Sequence, residues 1–287
     1  MKQKYLLLLL LLLAVTGCKD DSSETPEEVE NPEVELPLGY TALEITEVLD
    51  NDAQTVTSTQ IYTYNETGQL RSCLQRQTTD GVGAILLERN TEVAYDGQTV
   101  RIADDAGNVL TYTLDSDGRA TACTSETPAG EVRHYTFDYT GLPSEKHYLE
   151  RLTETLEDAA EPYAEINIDY TRLEAPLVTR VVDGDSQSFV LALPTEGGTV
   201  NKAQLPCLFL EELYPLSLHK TALYARLLGD AYDVLLARCE PTDNAESGEF
   251  TTYTYDTDED GWVQNCRVVT ESYDCTYLRI LDYAFLP

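Results

Sequence analysis

The stretch Tyr253 to Cys266, YTYDTDEDGWVQNC, decides how the whole chain is read. Aromatic residues alternate with threonine, an acidic run closes on Gly261, and a second segment follows up to a cysteine. Alternation of aromatic or β-branched with polar residues marks a half-buried strand, and a turn glycine accepts the positive φ that other residues avoid. The stretch is therefore a β-hairpin signal. Copies begin at Tyr62 (YTYNETGQLRSC), at Tyr112 (YTLDSDGRATAC) and, with less agreement, at Tyr135 (YTFDYTGLPSEK). The copy at Tyr253 carries two more residues before its glycine than the other three, which reads as a longer turn.

Working outward, Thr41 to Leu49 and Gln54 to Tyr64 alternate in the same way, and Asp96-Gly97, Asp104 to Asn108 and Asp183-Gly184 mark further turns. Asp-Gly suits the primed turns of tight hairpins. The spacing predicts an all-β domain, a many-stranded antiparallel meander of about 14 to 16 strands, curved or partly closed. No long helical periodicity interleaves the strands, which disfavours parallel βαβ architecture. One segment breaks the alternation. From Leu205 to Leu228 the apolar residues cluster, predicting a short helical insertion near 208–229 that closes one end or fills the curved sheet. Pro215 belongs to the loop before a helix begun near Ser217, and Gly229 is placed to cap that helix.

The N-terminus reads as a targeting segment. Lys2 and Lys4 precede leucines from Leu6 to Leu13, too short a run to span a bilayer, which takes about 20 apolar residues. Val15, Thr16, Gly17 and Cys18 resemble the lipobox of bacterial lipoproteins. That resemblance implies cleavage of residues 1–17 and acylation of Cys18, giving a stable membrane anchor. Lys19, Asp20, Asp21, Ser22, Ser23 and Glu24 resemble the acidic export signal of Bacteroidetes surface lipoproteins, implying an anchor in the outer membrane with the protein facing the cell exterior. Residues 18–37 are rich in Glu, Pro and Ser and read as an extended tether. A single β domain over 38–287 is expected after it.

Lys and Arg number 19 against 51 Asp and Glu, a net charge of −32. Such a surface repels phosphate backbones and anionic lipid heads, so nucleic acid is excluded as a partner. The pattern also lacks a GxSxG elbow, an HExxH pair and a P-loop, so no catalytic residues are assigned. The one metal-like constellation is Asp256, Asp258 and Asp260 before Gly261, alternate carboxylates of the kind that bind calcium in tight loops. Arg267 stands where an EF-hand would have Glu, and an acidic hairpin turn explains the same residues. Trp262 beside it is a candidate ligand contact. Cys73, Cys123 and Cys266 each fall five residues after a turn glycine. Six cysteines after Cys18 allow 15 pairings, and none has zinc or redox spacing. The 19 tyrosines suit cross-strand pairing in a half-exposed sheet, and equally sugar stacking or protein contact.

The Tyr-x-Tyr-Asp hairpins resemble YD repeats. Together with the lipobox, the segment Ala222 to Leu236 (ALYARLLGDAYDVLL) and the closing hairpin, they are similar to a group of Bacteroides-type lipoproteins of unknown function with a porin-like antiparallel fold. The resemblance implies that fold and carries no active-site residues. A membrane pore is not expected, because both faces of segments such as TVRIADD carry polar groups where a lipid-facing band must be apolar. The sequence therefore predicts a water-soluble domain on a lipid anchor that serves as a binding or scaffold protein for glycan or protein without catalysis. Two rivals are a glycan hydrolase using carboxylates on a concave face and a structural part of an outer-membrane complex.

Overall fold

The computed structural model describes residues 38–51, 54–79, 84–141, 146–194, 196–242, 249–272 and 275–287. All described residues belong to one compact unit, Leu36–Pro287. The signal segment, Cys18 and the tether lie outside them. The described residues form sixteen strands. In order these are β1 (Ala42–Asn51), β2 (Gln54–Tyr64), β3 (Leu70–Thr79), β4 (Ile85–Asp96), β5 (Thr99–Asp104), β6 (Val109–Leu114), β7 (Ala120–Glu126) and β8 (Val132–Tyr139). There follow β9 (Leu149–Leu156), β10 (Ala164–Asp169), β11 (Leu177–Val182), β12 (Asp185–Ala192), β13 (Arg238–Pro241), β14 (Phe250–Thr257), β15 (Val263–Ser272) and β16 (Cys275–Leu286). Each strand pairs antiparallel with the next, and β1 pairs with β16, Ala42 opposite Leu286 through Leu49 opposite Arg279. The sheet is thus fully closed, beyond the curved or partly closed form that alternation alone indicates. Closure leaves no exposed sheet edge.

The repeated hairpins share one turn chemistry. Asn65, Asp115 and Asp258 each use side-chain Oδ1 to accept the backbone N–H groups two and four residues on, at 2.9–3.0 Å. Gly68, Gly118 and Gly261 follow three residues later with φ of 79°, 85° and 85°. A bulge next to each turn completes the three-residue loop that tolerates this geometry. The last hairpin does not have a longer turn. Its two extra residues, Asp256 and Thr257, lengthen β14, and Asp256 pairs in register with Asn265. The same register explains the cysteine spacing. Tyr62 lies opposite Cys73, Tyr112 opposite Cys123 and Tyr255 opposite Cys266, so tyrosine and thiol share the inward face.

Strand alternation sorts the wall into two surfaces. Leu43, Tyr62, Val100, Tyr112, Leu152, Ile166, Val178 and Val268 point inward and are buried. Many outward positions carry threonines and charges. Arg76 and Glu88 pair across β3 and β4 at 2.6 Å, Arg151 bonds Glu165 at 2.6 Å, and Asn265 donates to Asp282 at 2.7 Å. A membrane barrel has the opposite arrangement, apolar outside and polar inside, and a lipid-facing charge at the midplane costs about 2–4 kcal/mol. Among the described residues the exterior mixes these charges with scattered apolar side chains such as Leu278 and Ile280.

The lumen is filled by the chain between β12 and β13. It contains α1 (Leu208–Glu212), a 3-10 turn at Leu216–His219 and α2 (Lys220–Tyr224). Leu205, Leu208, Leu213, Leu216, Ala222, Leu227, Leu228 and Leu236 are buried there. The insert locks to the wall by direct bonds. Tyr62 stacks on Tyr224 at 3.9 Å, Tyr64 Oη donates to the Tyr224 carbonyl, and the Ala120 N–H donates to the Leu227 carbonyl at 2.7 Å. The expected helix near Ser217 is real but shorter, ending at Tyr224. Gly229 does not cap it. A Cβ there would stand 2.7 Å from the His147 carbonyl oxygen, so the glycine permits close approach of the insert to the chain before β9.

Candidate functional site: the open end of the lumen

The two ends of the barrel differ. The turns after β2, β6 and β14 and both limbs of the insert lie at one end, where the barrel also begins. Here Trp262 packs against Tyr40 and Phe285, with Lys202 Nζ 4.7 Å above its ring. The turns after β5, β7 and β11 lie at the other end, and the insert stops short of it. Above its tip is a recess of about 750 Å³. The wall contributes Gln75, Arg89, Asp104, Ser125, Glu131, Arg133 and Tyr163, and the insert forms the floor with Tyr214, Ser217, Lys220 and Thr221. A second recess at the same end, about 480 Å³, is more apolar, with Leu49, Phe209, Leu213, Tyr253 and Tyr277 around Arg279.

Every cation of these recesses stands beside a carboxylate. Arg89 Nε is 3.5 Å from Asp104, whose two oxygens also accept the backbone and side-chain N–H groups of Asn108 at 2.8 Å. Glu154 is completely buried on β9. It accepts Arg133 Nη1 at 2.5 Å on one oxygen and Tyr214 Oη at 2.6 Å on the other. Glu211, in α1, accepts Lys220 Nζ at 2.8 Å and Tyr224 Oη at 2.9 Å. Arg279 bridges Glu47 and Glu212. A buried charge is tolerable only when paired and bonded in this way.

The ionisation of these groups follows from their surroundings. Burial raises the Glu211 carboxyl above its usual range, against the pull of Lys220. Burial lowers Lys220, but Glu211, Glu212 and Glu47 together hold it above its ordinary value. The hydrogen bond to Glu154 holds Arg133 protonated. Beneath the recess, His219 is fully buried among the rings of Tyr112, Tyr135 and Phe137; burial holds it down to about 3, so it is neutral. Its Nδ1 bonds Tyr112 Oη at 2.7 Å and its Nε2 has no partner. The six thiols among the described residues are free, and burial pushes Cys73, Cys123, Cys207 and Cys266 up to about 12, away from nucleophilic use.

The residues singled out in the sequence lie elsewhere. Asp258 holds its own turn, and its second oxygen accepts Gln264 Nε2 at 3.2 Å. Asp256 is exposed on β14 and Asp260 is exposed in the turn. No three His, Cys, Asp or Glu side chains among the described residues are grouped to hold a metal ion. Trp262 is half-buried in the seam where β16 meets the start of the barrel. Sequence reasoning missed Arg89, Arg133, Glu154, Tyr214 and Lys220. Their signal was parity: Arg133 stands two residues before the inward Tyr135, and Glu154 two after the inward Leu152, so each puts a charge on the apolar face of a strand.

These features define a filled, sixteen-stranded antiparallel barrel of porin-like fold, with its larger recesses at the end the insert does not reach. The chain belongs to the family described as "Domain of unknown function (DUF4595) with porin-like fold", whose model matches residues 62–265. It is similar to a porin-like protein of Bacteroides uniformis, solved by crystallography, at 35% identity and a TM-score of 0.80, covering 86% of this chain and 96% of that one. A porin-like protein of Bacteroides vulgatus shares the fold at 13% identity and a TM-score of 0.55, covering 86% and 98% of the two chains. No curated protein matches the chain.

Proposed function

We propose that this chain is a lipid-anchored outer-membrane protein, facing the cell exterior, that binds a ligand in the recess at the open end of its barrel and catalyses no reaction. The observation that carries this reading is the 750 Å³ recess itself, within the size range of ligand sites, lined by preorganised polar groups and floored by the insert. The insert blocks the lumen behind it, so a ligand enters and leaves by the same mouth. The lipobox ending in Cys18 and the acidic residues after it support anchoring and export. β1 begins at Ala42 on the end opposite the recess. The YD-like hairpins serve in this reading as wall structure.

Catalysis is disfavoured by how the carboxylates are used. A glycosidase needs one carboxyl as acid and a second as base or nucleophile. Asp104 and Glu154 each have both oxygens engaged by neighbours in the wall and insert. The test is glycan and protein array binding with the full chain in detergent micelles. A ligand whose signal disappears in Ser217→Trp, which crowds the recess floor, supports the reading; silence on both arrays overturns it. Cys18→Ala should release the protein from membranes, and retention would remove the anchor from the account.

A further inference from the structure

Resting on that reading, we infer that the ligand of the larger recess is the end of a neutral oligosaccharide. Arg89, Arg133 and Lys220 face the recess, but with Asp104, Glu131 and the carboxylates beneath them the negative groups are in excess. An anionic ligand, such as a phosphate or a uronic acid chain, would meet no uncompensated cation. An apolar ligand would strip water from the polar half of the lining, which costs free energy wherever a group is left without a partner. A peptide strand normally docks by adding to an open sheet edge, and this closed barrel has none.

A sugar matches what remains. Each of its hydroxyls both donates and accepts, and the ion pairs present donors and acceptors side by side. Arg89 with Asp104 on the wall is one such couple, and Ser217 and Thr221 add hydroxyls from the floor. Because the charged groups already hold one another in place, little side-chain freedom is left to lose on binding. Tyr163 and Tyr214 border the same space and supply the apolar faces against which sugar rings pack. Leu218, an apolar residue 46% exposed on the floor, is a further contact surface of that kind.

The test is calorimetric titration of the full chain in micelles with neutral hexasaccharides of gluco, manno, xylo and galacto configuration, an oligogalacturonate as the anionic arm and an unstructured peptide as the protein arm. The expected result is binding of at least one neutral hexasaccharide, weakened about tenfold or more by Ser217→Trp and several-fold by Arg89→Gln, as befits loss of packed or hydrogen-bonded contacts. Leu278→Trp on the outer wall should leave it unchanged. Thermal melts identify any variant that fails to fold, and Arg89→Gln, at the exposed rim, keeps the test open if Ser217→Trp does. Binding of the anionic arm or the peptide alone, abolished by Ser217→Trp, would overturn the saccharide inference while keeping the recess as the site. Neutral sugar binding indifferent to both substitutions, or no binding in any arm, would overturn the recess along with it.

Discussion

In the barrel wall, Tyr62, Tyr112 and Tyr255 each face a cysteine across a hairpin, and Asn65, Asp115 and Asp258 each hold the turn beyond. In the insert nothing repeats: Leu216 is buried once, His219 has one hydrogen bond, and Tyr214 reaches the single carboxylate of Glu154. The wall solves one local problem many times, and local solutions fail gently. The insert solves a long-range problem once, so its residues should be the sensitive ones. It is also the part that forms the recess floor, which ties fold stability to the candidate site.

The contrast should be largest for apolar truncation. Leu216→Ala in the insert is expected to cost about 2–5 kcal/mol, because a fully buried leucine leaves a cavity that its surroundings only partly close. Leu278→Ala on the outer wall, 42% exposed, should stay within about 0.5 kcal/mol. Urea denaturation of the two variants side by side checks this, and equal losses would break the comparison.

Next in size is the link between wall and insert. Glu154→Ala removes the acceptor of both Arg133 and Tyr214 and should cost about 2–3 kcal/mol, less than a fully buried pair because the Arg133 side chain is 35% exposed and can turn to water. Arg133→Met in the same background should lose little more, since the partner is already gone. A double-mutant cycle reads the coupling directly.

A third distinction is in pH dependence. His219 is held neutral in the folded chain down to about 3, whereas the unfolded chain protonates it below its ordinary value of 6.5. The unfolded state therefore binds more protons in that window. Its contribution to stability is complete above pH 6.5 and is lost as pH falls toward 3, by up to about 1.4 kcal/mol per pH unit. His219→Phe should flatten this part of the profile relative to the unaltered chain, measured as urea midpoints at pH 7 and pH 4.5. An unchanged difference between the two pH values would show that the ring is not buried neutral.

The smallest effects belong to the turns. Gly68→Ala and Gly118→Ala should each cost about 1 kcal/mol, and by similar amounts, since both place an L-residue at positive φ. Asp258→Ala should cost about the same through loss of its two backbone bonds. Calcium should leave the melting temperature of the unaltered chain unchanged; a rise would restore Asp256, Asp258 and Asp260 as a cation site.

The difference between wall and insert also explains what the sequence disclosed. Strands and turns are written locally, in alternation and in the Asx-x-x-Gly pattern, and so the sixteen strands fall within the count that alternation indicates. Closure depends on β1 meeting β16 across the whole chain, which no local pattern states. The extra Asp256 and Thr257 read as turn because acidic residues usually are, yet pairing with β15 drew them into a strand. The recess was hidden for the same reason as closure. Arg133 and Glu154 meet across neighbouring β8 and β9, but Tyr214 and Lys220 join that end of the lumen only when the insert fills it.

The most direct test of a filled barrel with a polar exterior is sedimentation of residues 36–287, produced without the leader and Cys18, in buffer free of detergent. The expected result is a folded protein, dispersed without detergent, that neither inserts into liposomes nor conducts ions. A protein that stays dispersed only in detergent, or that opens a channel when added to bilayers, would contradict a filled barrel with a polar exterior.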